Sequence, residues 1–245
     1  MKVLQKYSFG LLTVTAFLLV SFTGAGCRKK DKISTMENPP ISTAPTKTLL
    51  ALGDSYTIGE SVPEADRFPN QALQLLAPKG FDFKYPATII ARTGWTTQNL
   101  LDAMAASDVT SHVPYDAVTL LIGVNNQFQR RDTAEYRIQF TECLNKAILY
   151  SGNKKEHVFV ISIPDWGVTP FGAPYGPAQV AAAIDNFNAI NKGITEQMGI
   201  AYINITPVSR QNDPTQVAGD GLHPSGKQYG LWAQMLAAVM ERQLR

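Results

Sequence analysis

The chain has 245 residues, 44% of them hydrophobic and 17% charged, which is enough apolar content to bury a core and rules out a disordered chain. Its 22 basic and 20 acidic residues nearly balance, so no charge footprint points to a nucleic-acid partner. Two cysteines argue against both a disulfide framework and a cysteine-based metal site.

Residues 1–26 read as a secretory signal. Lys2 and Lys6 give a positive start, Phe9 to Phe22 is apolar, and Thr23, Gly24, Ala25 and Gly26 are small. The apolar stretch is shorter than the roughly 18 residues expected of a membrane-spanning helix. Gly24-Ala25-Gly26-Cys27 resembles a bacterial lipobox, with Gly24 where a leucine is usual. That resemblance implies lipidation of Cys27, a membrane partner through the lipid, and a place in the bacterial envelope, periplasmic or at the cell surface. The alternative is an ordinary cleavage site beside a chance cysteine. With Cys27 lipidated, Cys143 has no partner. Residues 27–46 hold charges, Ser, Thr, Asn and prolines without apolar periodicity, and read as a tether. Residues 47–245 are then the folded domain.

From Thr48 onward short apolar runs alternate with helical patterns. Strands are predicted at Thr48–Leu52, Tyr85–Ala91, Ala117–Ile122, Val158–Ile163 and Ile200–Ile205. Helices are predicted at Asn70–Ala77, Thr97–Ala106, Thr133–Tyr150, Pro177–Met198 and from Ser225 to about Gln243. In the fourth helix Val180, Ile184, Phe187, Ile194 and Met198 share one face. In the last, Trp232, Leu236 and Val239 form an inward stripe. This alternation predicts an α/β fold, a parallel sheet with helices on both faces. In such sheets the ligand site lies outside the carboxyl ends of the strands.

The polar clusters fall at those ends. Asp54 and Ser55 follow the first strand directly. Alone, Ser55 reads as a helix cap or turn residue. His112 and His157 sit in polar surroundings and read as surface. His223 lies in the turn-rich stretch Gly219-Asp220-Gly221-Leu222-His223-Pro224. Asp220, three residues earlier, is close enough to orient the imidazole, which leaves its other nitrogen for a serine. Nucleophile, base and orienting acid are the parts of a catalytic triad. An oxyanion site needs converging donors. The Ser55 N–H, the Gly94 N–H after the second strand and the Asn125 amide after the third can supply them. Asp54 then shapes the turn, because Asp220 already fills the acid role.

These four blocks resemble the SGNH or GDSL hydrolases. Gly53-Asp54-Ser55 matches the nucleophile block, Gly94 the glycine block, Gly123-Val124-Asn125 the Gly-x-Asn block, and Asp220 to His223 the Asp-x-x-His block. The resemblance spans Thr48 to the C-terminus. It implies a flavodoxin-like three-layer α/β/α sandwich with a five-stranded, mostly parallel sheet, ester hydrolysis and no cofactor. It implies Ser55 as nucleophile, His223 as base and Asp220 as its partner, with Ser55, Gly94 and Asn125 as the oxyanion hole. One departure is Asn126, where the family often has Asp.

Trp95, Asp165, Trp166 and Phe171 are candidates for a substrate pocket; packing of loops onto the body is the alternative. The ester could belong to a lysophospholipid, another lipid or an acylated carbohydrate. Short loops and the lack of an apolar lid favour short or medium acyl groups. Two other readings stand beside the esterase: a non-catalytic lipid- or carbohydrate-binding lipoprotein, and a thioesterase or peptidase using the same triad.

Overall fold

A computed structural model describes residues 47–211 and 213–245. The signal over 1–26, Cys27 and the tether over 27–46 lie outside the described residues. The strands are β1 (Leu49–Asp54), β2 (Thr88–Arg92), β3 (Ala117–Leu121), β4 (Val158–Ile161) and β5 (Ala201–Ile203). All pair in parallel in the order β2-β1-β3-β4-β5. The three inner strands are buried along their whole length, while the edge strands β2 and β5 are only partly so. Inner strands covered on both faces need near-continuous apolar runs, which is how LLALGD, AVTLL and VFVI read.

The helices are α1 (Ser55–Ile58), α2 (Phe68–Leu76), α3 (Thr97–Ala106), α4 (Val124–Phe128), α5 (Thr133–Tyr150), α6 (Pro177–Gln197), α7 (Thr206–Ser209) and α8 (Gly226–Gln243). One layer joins α2 and α8. There Phe68 meets Tyr229 and Trp232 at ring separations of 6.3 and 6.2 Å. The other layer joins α3, α5 and α6, with Tyr136 against Phe187 at 4.7 Å. The predicted stripes face inward: Trp232, Leu236, Val180, Ile184 and Phe187 are buried. Burying a large apolar side chain contributes roughly 1.5–3 kcal/mol, so these stripes hold the layers on the sheet.

Helix bounds follow the sequence signals closely; α3 and α5 begin and end where predicted. Thr96 caps α3 in a reciprocal box with Asn99, and Ser225 caps α8. Strand ends differ, each for a visible reason. Strand β1 continues through Gly53 and Asp54, which pair with Leu121 and Arg92. Only glycine fits at 53, because a Cβ there would lie 2.1 Å from Thr57 Oγ1 and 2.4 Å from the Leu121 carbonyl. Strand β2 starts at Thr88, not Tyr85. Pro86 has no N–H to donate, and the Ala87 N–H donates to Asn70 Oδ1 at 3.0 Å instead of to a neighbouring strand. Strand β4 ends at Ile161, because the Asn188 side chain takes over both backbone groups of Ile163. Strand β5 begins and ends inside its predicted bounds: the Ile200 N–H donates back to the Thr195 carbonyl, and the Ile205 N–H to Ser162 Oγ.

The chain runs from β1 outward to β2, then returns to place β3 on the other side of β1. That reversal opens a crevice at the carboxyl ends of β1 and β3, the usual ligand position in such sheets.

Candidate active site

At the tip of β1 the chain passes from extended Asp54 into a single helical turn. Asp54 Oδ1 accepts from the Tyr56 N–H at 3.0 Å and caps α1, which Gly59 closes at φ 66°. Ser55 is the first residue of that turn, so its N–H has no acceptor within the helix. Its side chain is buried to 4% exposure and lines a cavity of about 150 Å³ in the crevice.

His223 lines the same cavity. Asp220 fixes it with both carboxylate oxygens. Oδ1 accepts from the Leu222 and His223 amides at 2.9 and 3.0 Å, and Oδ2 lies 2.6 Å from His223 Nδ1. An acceptor at Nδ1 puts the imidazole hydrogen there and leaves the Nε2 lone pair free. The Tyr56 ring packs beside the imidazole at 5.2 Å, and the loop is tied back by Ala218 N–H to the His223 carbonyl. Ser61 adds a donor that the sequence did not signal. Its Oγ–H reaches Asp220 Oδ2 at 2.6 Å across 159 residues. Partial burial opposes the charge of Asp220, but Ser61, His223 and the two amides outweigh it and hold the carboxyl well below the usual carboxylate range.

The expected donors come together on the same cavity. Gly94, at φ 82°, and Asn125 line it with Ser55. Asn125 Nδ2 donates one hydrogen to the Trp95 carbonyl at 3.0 Å, which fixes the amide and leaves its second N–H available. Gly123 precedes it at φ 131°, and a Cβ there would fall 2.6 Å from the Tyr136 hydroxyl. Asn126, the departure from the family pattern, supports this loop. It is buried, accepts from the Thr97 N–H at 3.0 Å and donates to Thr97 Oγ1 at 2.8 Å. An amide makes this pair of bonds where an ionised carboxylate has no hydrogen to donate.

The pocket candidates divide. Trp166 and Phe171 line the cavity, joined by Phe128, a residue no sequence signal marked. Trp166 is held by its Nε1–H to Gln127 Oε1 at 2.7 Å. Two candidates lie off the cavity that Ser55 lines. Trp95 does not line this cavity; its ring packs on the core and only its carbonyl serves the site. Asp165 does not line it either, but with Trp166 and His223 it lines a smaller adjoining cavity of about 20 Å³. Its side chain is fully buried and spoken for by the Gly167 N–H and by Arg210 Nε, each at 2.8–2.9 Å. Of the histidines read as surface, His112 is exposed, but His157 is half-buried, and burial pulls its imidazole below the ordinary value. Among the described residues no group of three or more His, Cys, Asp or Glu side chains is placed to hold a metal ion, and no helix is long and apolar enough to cross a membrane.

A model of the GDSL-like lipase/acylhydrolase family matches residues 51–231. A search of curated proteins gave no significant match. Among solved structures, a lipase from a goat rumen metagenome is 19% identical, with a TM-score of 0.65, over 82% of this chain and 100% of the other. The lipase/acylhydrolase of Enterococcus faecalis is 19% identical, with a TM-score of 0.62, over 82% and 98%. The psychrotrophic esterase EstA of Pseudoalteromonas sp., whose structure is inhibited by monoethylphosphonate, is 15% identical, with a TM-score of 0.60, over 80% and 97%.

Asp54, next to Ser55, has a different environment from Asp220. Burial pushes its carboxyl up to about 8, and the Tyr56 amide offsets only part of that. Its Oδ2 has no hydrogen-bond partner among the described residues. Because the folded value lies above the ordinary 3.8, the folded chain binds more protons than the unfolded chain between pH 3.8 and about 8. Stability therefore falls as pH rises across that window. Asp54→Asn keeps the shape and removes the titrating proton. Urea unfolding across the window should show a flatter pH dependence in the variant than in the wild type. Equal slopes would contradict a neutral Asp54.

Proposed function

Because this chain belongs to the GDSL-like lipase/acylhydrolase family, we propose that it is a serine ester hydrolase with Ser55 as nucleophile, His223 as base and Asp220 as its orienting acid. The observation that carries the reading is that His223, on the wall of the cavity that Ser55 also lines, is held by Asp220 at 2.6 Å. Ser55 Oγ attacks the ester carbonyl carbon as His223 Nε2 takes the hydroxyl proton. The carbonyl oxygen becomes an oxyanion between the Ser55 N–H, the Gly94 N–H and the free Asn125 amide hydrogen. The C–O bond to the alcohol breaks, and Nε2 returns the proton to the departing oxygen. Water then attacks the acyl-serine with the same base and releases the acid.

The acyl group is short or medium. A cavity of about 150 Å³ walled by Phe128, Trp166 and Phe171 leaves little room to bury methylenes. Each CH₂ that is buried contributes about 0.8 kcal/mol, so an apolar chain that outgrows this cavity gains less from further length, since the space beyond Phe128 and Trp166 is lined by Arg130 and Arg131. A series of 4-nitrophenyl esters tests both points. kcat/KM should peak between acetate and octanoate, and Ser55→Ala should abolish turnover throughout. Asn125→Ala should lower kcat on the order of 10²–10³ with little change in KM, because its hydrogen bond strengthens only as charge develops. A steady rise through palmitate would make the enzyme a long-chain lipase, and a pure rise in KM would make Asn125 a ground-state contact.

Lipidation of Cys27, with 28–46 as tether, would place the enzyme on a membrane of the bacterial envelope. Cys27→Ser should move it to the soluble fraction with its esterase activity intact. A mature, unlipidated N-terminus at another residue would contradict this.

A further inference from the structure

A second cavity, of about 460 Å³, shares Phe128 and Trp166 as walls with the cavity that holds Ser55. Arg130 and Arg131 line it, and no acidic residue does. Both are exposed, and neither guanidinium forms an ion pair among the described residues. The nearest acids in sequence are engaged elsewhere. Asp132 accepts from the Ala134 N–H and caps α5, and Glu135 accepts from Gln139 Nε2 at 2.8 Å. The loop that carries the arginines is held in place: the Arg131 N–H donates to the Asn126 carbonyl at 2.8 Å, and Arg130 sits at φ 55°. Glycine or asparagine would take that left-handed position more cheaply, yet it holds a cation. Phe128 and Tyr175 stand on the same cavity with their rings 6.0 Å apart, both more than 40% exposed.

We propose that this cavity binds an anionic group, phosphate or carboxylate, carried by the part of the ester that does not react. The substrate class is then an ester with a negative charge beyond the Phe128–Trp166 wall. Two guanidinium groups on one cavity suit this ligand because each presents a planar fork of donors that matches the oxygens of either anion. The aromatic rings supply the apolar bridge between the scissile bond and the charge. The proposal rests on Ser55 as the site of ester cleavage.

Matched substrates test it with the full chain. 1-Butyrylglycerol 3-phosphate against 1-butyrylglycerol places the charge on the alcohol. Mono-4-nitrophenyl adipate against 4-nitrophenyl hexanoate places it on the acyl group. In the wild type kcat/KM should favour the charged member of at least one pair by about 10-fold to 100-fold, the ratio expected from charge-assisted hydrogen bonds. The double variant Arg130→Gln, Arg131→Gln should lose that preference and keep its rate on 4-nitrophenyl acetate. Calorimetric binding of glycerol 3-phosphate or adipate to Ser55→Ala protein, lost on adding the arginine substitutions, would support the anion site independently of turnover. Failure of the Ser55 reading would appear separately, as 4-nitrophenyl acetate hydrolysis that survives Ser55→Ala. Equal or better turnover of both neutral esters by the wild type would overturn the proposal, as would a charge preference unchanged in the variant. Loss of anionic-vesicle binding in the variant, with ester discrimination unaltered, would also overturn it and make the arginines a membrane contact.

Discussion

Strand β1 pairs in parallel with β2 on one side and with β3 on the other, and the candidate site depends on that double pairing. It brings the ends of three strands to one edge, with Gly53 opposite both Ala91 and Leu121. Ser55, Gly94 and Asn125 then reach a common cavity although 70 residues of sequence separate the first from the last. The register requires Gly53, since any Cβ there would strike Thr57 Oγ1 and the Leu121 carbonyl. A larger residue would have to push α1 off the strand tip, and Ser55 is the first residue of α1.

Environment sorts three aspartates of the same intrinsic acidity into different tasks. Asp220 gathers four donors and stays ionised beside His223. Asp165 is buried but ion-paired to Arg210, and it stiffens the loop that presents Trp166. Asp54 is buried with a single donor to Oδ1 from Tyr56, and its raised value keeps it uncharged at the tip that offers Ser55. Under the proposed mechanism, a neutral Asp54 would set no second negative charge against an oxyanion forming beside the Ser55 amide. The charge that orients the imidazole would thereby be kept apart from the proposed site of new negative charge.

Much of this was legible in the sequence because its causes are local. Helical periodicity acts over a few residues, so α3 and α5 fell at their predicted bounds. The aspartate and histidine of Asp-Gly-Leu-His could be paired because three residues separate them. What escaped depends on contacts across the fold. Ser61 reaches Asp220 only after β1 and the loop before α8 are side by side. Trp95 looked like a pocket wall because a tryptophan near a glycine block has no marker for which way its ring turns; it turns to the core. Asp165 stood only as a pocket candidate because its ion-pair partner, Arg210, lies 45 residues away. Phe128 reads as an ordinary helical residue until Trp166 and Phe171 are brought against it. Asn126 departs from the family pattern in sequence, and only the structure shows the amide bridging both polar groups of Thr97.

The proposed chemistry turns on Ser55 acting as a nucleophile activated by the His223–Asp220 pair. A phosphonate ester that transfers its phosphorus to an activated serine, followed by peptide mass spectrometry, tests it most directly. One adduct is expected, on Ser55, formed in step with loss of esterase activity and slowed severely by His223→Ala. An adduct on another serine, or labelling of Ser55 at an undiminished rate in the histidine variant, would contradict it.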